Sequence, residues 1–140
     1  MNEQEYIDSI DACFPYDKWK EAIDKGISIS ANAAFAALYE LNSMSTFSEV
    51  SKEKLLEMLN YWSSKFSHPL KEIAIDAVMT SLDDKYLDIQ KALNCLDTIS
   101  KYPKLYSVLN LICNTGDYRD KRLDKKCDEI VNLWRSSSNS

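Results

Sequence analysis

The chain of 140 residues has two glycines, three prolines and one histidine. So little turn chemistry excludes an all-β fold with its many tight corners, and leaves all-α as the default. Gly26 and Gly116 stand too far apart to frame a phosphate-cradling loop. The lone His68 has no second histidine with which to share a metal. It directly precedes Pro69, so a capping or solvated role is expected for it rather than a place in a Ser-His-Asp constellation. No apolar run approaches the roughly 20 residues of a membrane span. The opening Met1-Asn2-Glu3-Gln4-Glu5 is acidic where a secretory leader is basic and then apolar, and a cytoplasmic location is the expectation. Cys13, Cys95, Cys113 and Cys127 contain no C-x-x-C pair, and buried reduced thiols are expected.

What is abundant is apolar surface and carboxylate. At 45% hydrophobic residues the chain can fill one cooperative core and is too short for two ordinary domains. A single helical domain is expected over residues 1–135, followed by a frayed serine-rich tail, 136–140. The net charge of −5 is unevenly spread. Residues 1–25 carry seven acids against three bases, whereas residues 118–140 carry six bases against four acids. This balance disfavours general nucleic-acid binding and suits docking on a basic protein.

Hydrophobic spacing supplies the architecture. Ile75, Val78, Ile89, Leu93, Leu96 and Ile99 recur, one period later, as Leu109, Ile112, Leu123, Cys127, Ile130 and Leu133, with Pro69 over Pro103. Leu41, Met44, Leu55, Leu59 and Trp62 form an earlier copy that fails at Lys65. The pattern predicts about eight helices in four stacked antiparallel hairpins, as a short α-solenoid or an irregular bundle. The first helix covers 3–12 and stops at Pro15. A second is capped by Asp17 and ends at Gly26. A third, opened by Ser28 or Ser30 and rich in alanine, is central. The fourth is capped by Ser48 or Ser51, the fifth and seventh start at Pro69 and Pro103, Asp83 and Asp84 cap the sixth, and Asp117 caps the eighth.

The period is that of tetratricopeptide repeats, whose Trp, Gly, Tyr and Ala-x-x-x-Phe signature is missing. The stretch from Pro69 to Asp84, PLKEIAIDAVMTSLDD, instead resembles the first helix of a HEAT repeat, with its early proline, its Ala-Val-Leu stripe and its inter-helix aspartate. HEAT-like repeats imply protein binding.

Chemistry is sparse. Asp83, Asp84 and Asp88, and Asp117, Asp120 and Asp124, sit at helix starts interleaved with bases, where caps and surface pairs are expected in preference to a metal site. The basic run from Tyr118 to Lys126 reads as the solvated side of an amphipathic helix in preference to a nucleic-acid patch. No catalytic residue, cofactor or metal is assigned, and the chain is expected not to be an enzyme. One repeat apart stand Glu57, Lys91 and Lys125; Asn60, Asn94 and Asp128; Ser64, Thr98 and Asn132. Stacking would align them as a ladder. Glu53, Glu57, Asn60, Tyr61, Ser64, Lys91, Asn94 and Asp128 are the candidate partner-binding residues.

In size, acidic balance and helical-hairpin build, the whole chain is similar to bacterial immunity proteins paired with the toxins of contact-dependent growth inhibition. That resemblance implies binding and neutralising one cognate toxin domain, often a nuclease with a basic cleft, by blocking its active site. Glu53, Glu57 and the acids of the first 25 residues would then stand in for phosphates. The alternatives are a HEAT-like adaptor for a peptide or subunit and, third, a small nucleic-acid-binding protein. No membrane partner is expected, and the oligomeric state is left open.

Overall fold

Apolar residues spaced three and four apart, with few helix breakers between them, produce helices almost throughout. The computed structural model describes residues 1–46 and 50–138. Among these the chain forms eight α-helices: α1 (Glu3–Ala12), α2 (Trp19–Ile29), α3 (Ala31–Thr46), α4 (Lys52–Lys65), α5 (Lys71–Leu82), α6 (Ile89–Ile99), α7 (Tyr106–Thr115) and α8 (Lys121–Ser138). A short 3₁₀ turn, Tyr16–Lys18, precedes α2. No strand forms among the described residues; the β-type contact is an isolated parallel bridge between Leu87 and Gly116.

Helix α3 is the axis. Ala33, Ala34, Ala36 and Ala37 are all buried, and their small side chains let α1, α2, α4, α5 and α7 approach it from different sides. Trp62 of α4 lies fully buried against α3 and donates its indole N–H to the Ala34 carbonyl at 2.9 Å. The core continues through Phe35, Leu38, Met58, Ala77, Leu96, Val108 and Ile112 to Trp134. A smaller cluster of Tyr6, Ile10, Ala33, Ala36 and Ala37 fixes α1 on the alanine face.

The helices α3, α5 and α7 pack on one another as a triangle, so the array closes into an irregular bundle instead of extending as a row. The pairs α1/α2, α3/α4 and α7/α8 pack as hairpins, while α5 packs on α3, α4 and α7, and α6 packs on α7 and α8. An ion pair between Asp76 and Lys91 joins α5 to α6.

Several helix ends differ from their sequence reading. Gly26 does not end α2, which runs to Ile29. A Cβ on Gly26 would lie 2.5 Å from the Tyr6 hydroxyl oxygen, so the glycine is there for close packing of α1. The α3 cap is Ser30, whose Oγ accepts the Ala33 N–H at 3.0 Å and donates to Glu3 at 2.9 Å. Ser51 caps α4; its alternative, Ser48, lies outside the described residues, as does the side chain of Met44. Pro69 and Pro103 precede their helices by more than one position, because Leu70 and Leu105 first turn into the core. His68 is a cap: its Nδ1 accepts the Leu70 N–H at 3.1 Å, and burial lowers its pKa. Asp88 and Asp120, not Asp83, Asp84 and Asp117, cap α6 and α8. Leu133 is 56% exposed and Trp134 takes the last core position of α8. That helix runs to Ser138.

The cysteines also need correction. Cys113 of α7 and Cys127 of α8 form a disulfide, with Sγ atoms 2.08 Å apart, where four reduced thiols were expected. Cys13 and Cys95 are free. Sequence spacing misses the pair because the two residues meet only when α8 folds back along α7.

Candidate functional site

Packing divides the expected ladder in two. Glu53, Glu57, Asn60, Tyr61 and Ser64 lie on α4, Lys91 and Asn94 on α6, and Asp128 on α8, all exposed except the half-buried Tyr61. Among the described residues α4 packs on α2, α3 and α5, whereas α6 packs on α7 and α8. The α4 group therefore belongs to one face with α2, and Lys91, Asn94 and Asp128 to another.

Much of the α4 group is engaged within the chain. Tyr61 meets Trp19 edge to face at 5.4 Å and donates its hydroxyl to the Asp24 carboxylate at 2.9 Å. That hydrogen bond, with burial and the Asp24 charge, raises the phenol's pKa. Lys20 and Lys65 lie 5.5 Å from the centre of the Tyr61 ring, and Lys54 lies 5.1 Å from that of Trp19. These cations cover the aromatic surface by cation–π attraction. Beside them is a hollow of about 350 Å³ lined by Asp17, Lys18, Trp19, Lys20, Glu21, Lys54 and Glu57. Its three carboxylates face three ammonium groups, so it has no net charge to select an ionic ligand. Glu57 is 3.2 Å from Lys54.

On the other face, Lys91 pairs with Asp76, which raises the lysine's pKa, and Asn94 accepts a hydrogen bond from Gln90 at 3.0 Å. Lys126 pairs with Asp97. Arg122 grips Asp120 through two guanidinium nitrogens and holds that carboxyl below the usual range. Lys121, Arg122 and Lys125 point to solvent. Among the described residues no three His, Cys, Asp or Glu side chains are grouped as a metal ion would require. Asp83 pairs with Lys52 at 3.3 Å, Asp88 caps α6, and Asp117 accepts the Arg119 N–H.

A third surface was missed by the sequence reading. The loops 83–88 and 116–120 lie side by side, joined where the Leu87 N–H donates to the Thr115 carbonyl at 2.7 Å. They present Tyr86 and Tyr118, 59% and 54% exposed, with rings edge to face at 5.5 Å. A hydrogen bond to Tyr118 raises the pKa of Tyr86. Arg119 lies 6.0 Å over the Tyr118 ring. On one side of Tyr86 is a hollow of about 360 Å³ reaching Tyr39, Ser43, Ser81, Asp84 and Asn114. On the other is one of about 310 Å³ lined by Leu87, Asp88, Asp117, Tyr118 and Arg119. Asp84, which shapes the first, has a left-handed backbone with φ 58°. The available signal was a Tyr-x-Asp triplet before each helix, Tyr86-Leu87-Asp88 and Tyr118-Arg119-Asp120, in loops where no core position requires an aromatic ring.

Compared with known protein families, with curated proteins and with solved structures, the chain finds no match in any of the three.

Proposed function

We propose that the chain is a non-catalytic protein that binds one basic protein partner. The favoured case is a toxin domain neutralised by occlusion of its active site, as by immunity proteins of contact-dependent growth inhibition. One observation carries this reading. The outer surfaces of α1, α2 and α4, helices packed in the order α1–α2–α4, expose Glu5, Asp8, Asp11, Glu21, Asp24, Glu53 and Glu57 against Lys20, Lys25, Lys52 and Lys65, an acidic excess that is concentrated on α1, within a chain of net charge −5. Exposed carboxylates on a rigid helical frame steer a basic partner and resist docking of acidic ones.

The reading is tested by mixing the protein with candidate basic nuclease toxins and titrating their activity. An inhibitor abolishes activity at a one-to-one ratio, and Glu53→Lys with Glu57→Lys slows association, because exposed charges act mainly on encounter. A partner that binds yet stays fully active identifies a HEAT-like adaptor instead, and unchanged association in the double variant removes α4 from the contact.

A further inference from the structure

We infer that the paired loops 83–88 and 116–120 form the anchoring surface for the partner, with Tyr86 and Tyr118 receiving a lysine or arginine side chain of a basic protein segment. This rests on the basic-partner reading above and adds the place and the chemistry of contact.

Three observations converge on it. The first is exposure: both rings stand more than half in solvent, although Tyr6, Trp62 and Trp134 show that the fold buries aromatic residues completely where it can use them. Tyrosine is enriched among the residues that dominate binding energy, because it offers a large contact area with few rotatable bonds.

The second is preorganisation. Leu87 is buried and hydrogen-bonded to Thr115; Asp83 is tied to Lys52 and Asp120 to Arg122. Gly116 is packed so closely that a Cβ there would lie 2.8 Å from Leu123. Loops held this way lose little freedom on binding, so more of the contact energy appears as affinity.

The third is charge and shape. The two loops carry five aspartates; Asp83 and Asp120 are paired with Lys52 and Arg122, which leaves Asp84, Asp88 and Asp117 against Lys85 and Arg119. Arg119 already lies 6.0 Å from the centre of the Tyr118 ring, so a partner's cation would lie over the remaining exposed ring faces, outside the 5.5 Å edge-to-face contact, held by the same cation–π attraction. Asp88 and Asp117 line the hollow beside Tyr118 and would neutralise an incoming cation; Asp84 would do so across Tyr86. The surface is continuous with α4, since Lys52, which holds Asp83, is next to Glu53.

The probe is a capped pentapeptide of alternating arginine and glycine, with its glutamate counterpart as control. Each is titrated into isotope-labelled full-length protein while backbone amide shifts are followed. The expected result is saturable shifts centred on residues 84–88 and 115–119 with the arginine peptide only. Binding weakens about ten-fold or more when Tyr86→Ala and Tyr118→Ala are combined. Asp84→Asn, which tolerates the left-handed backbone, weakens it less, and an unchanged amide spectrum elsewhere shows that the variants fold. Shifts centred on Glu53 and Glu57 would overturn the placement and leave the basic-partner reading standing. Preference for the glutamate peptide would overturn both. No localised response to either peptide would overturn the placement, and the toxin titration then judges the wider reading by itself.

Discussion

Asn32 of α3 accepts the backbone N–H of Ser107, 75 positions away in the chain, at 2.9 Å. Helix α7 has no side-chain cap of its own, because Leu105 occupies the cap position. An orphan donor of its first turn is thus satisfied from a neighbouring helix. This ties the start of α7 to the bundle axis.

Asn32→Ala is therefore expected to destabilise the protein by about 1 kcal/mol, the usual cost of losing an asparagine cap. Asn32→Asp, which keeps the acceptor, should retain most of the stability. Urea unfolding of the two variants decides it, and equal losses would show that the hydrogen bond contributes nothing specific.

Gly26 and Tyr6 form a tight pair. The Tyr6 hydroxyl donates to the Ala22 carbonyl at 2.6 Å and occupies the space a Gly26 side chain would need. Gly26→Ala should destabilise by about 1–3 kcal/mol through overpacking, despite the better helix propensity of alanine. In a Tyr6→Phe background the penalty should shrink only in part, since the oxygen at 2.5 Å is gone while the ring carbon Cζ, at 2.8 Å, remains. A double-mutant cycle in which the two effects simply add would show that α1 moves aside freely.

The Cys113–Cys127 disulfide closes a short loop between α7 and α8, with a sequence separation of 14. Thiol titration of the unfolded, unreduced protein should find two free cysteines, Cys13 and Cys95. Reduction should lower the unfolding free energy by about 3 kcal/mol, the chain-entropy value for a loop of this size. Four titratable thiols in material purified without reductant would remove the bond.

Glu40 has its pKa raised from 4.5 to about 7, first by burial, then by the charge of Asp11 and a hydrogen bond with it. The folded state thus holds this proton more tightly than the unfolded one. Stability from this group is full below about 4.5 and is lost as pH rises toward 7. Glu40→Gln should flatten the decline across that window and leave the variant the more stable protein at pH 8. Parallel stability curves for the two proteins would show that Glu40 does not contribute to the slope.

Much of this fold is legible in the residues because helix signals are local. The spacing of Tyr6, Ile7 and Ile10 before Pro15 marks α1 to the residue, and the alanines of α3 identify the central helix. The seam of Val78, Leu96, Ile99, Leu109, Ile112, Leu123 and Ile130 is buried as its period requires, while Ile75, Ile89, Leu93 and Cys127 of the same pattern are half-buried at its edge. The period fails at Leu133, where Trp134 turns inward, since a tryptophan fills the space beside Tyr106 that a leucine would leave.

The candidate site was less legible, because a repeat in sequence specifies equivalent helices without specifying that they adjoin. Glu57 and Lys91 occupy equivalent positions on α4 and α6, yet the triangle of α3, α5 and α7 draws the outer helices into separate pairs, α2/α4 and α6/α8. Spacing of apolar residues and caps acts over about one helical turn, so the chain by itself determines its helices and the inward face of most of them. Only the tertiary structure decides which helices meet, and with that the Cys113–Cys127 bond, the Asn32 cap on α7 and the juxtaposition of Tyr86 with Tyr118. Each of these depends on packing in three dimensions between residues that local pattern cannot relate.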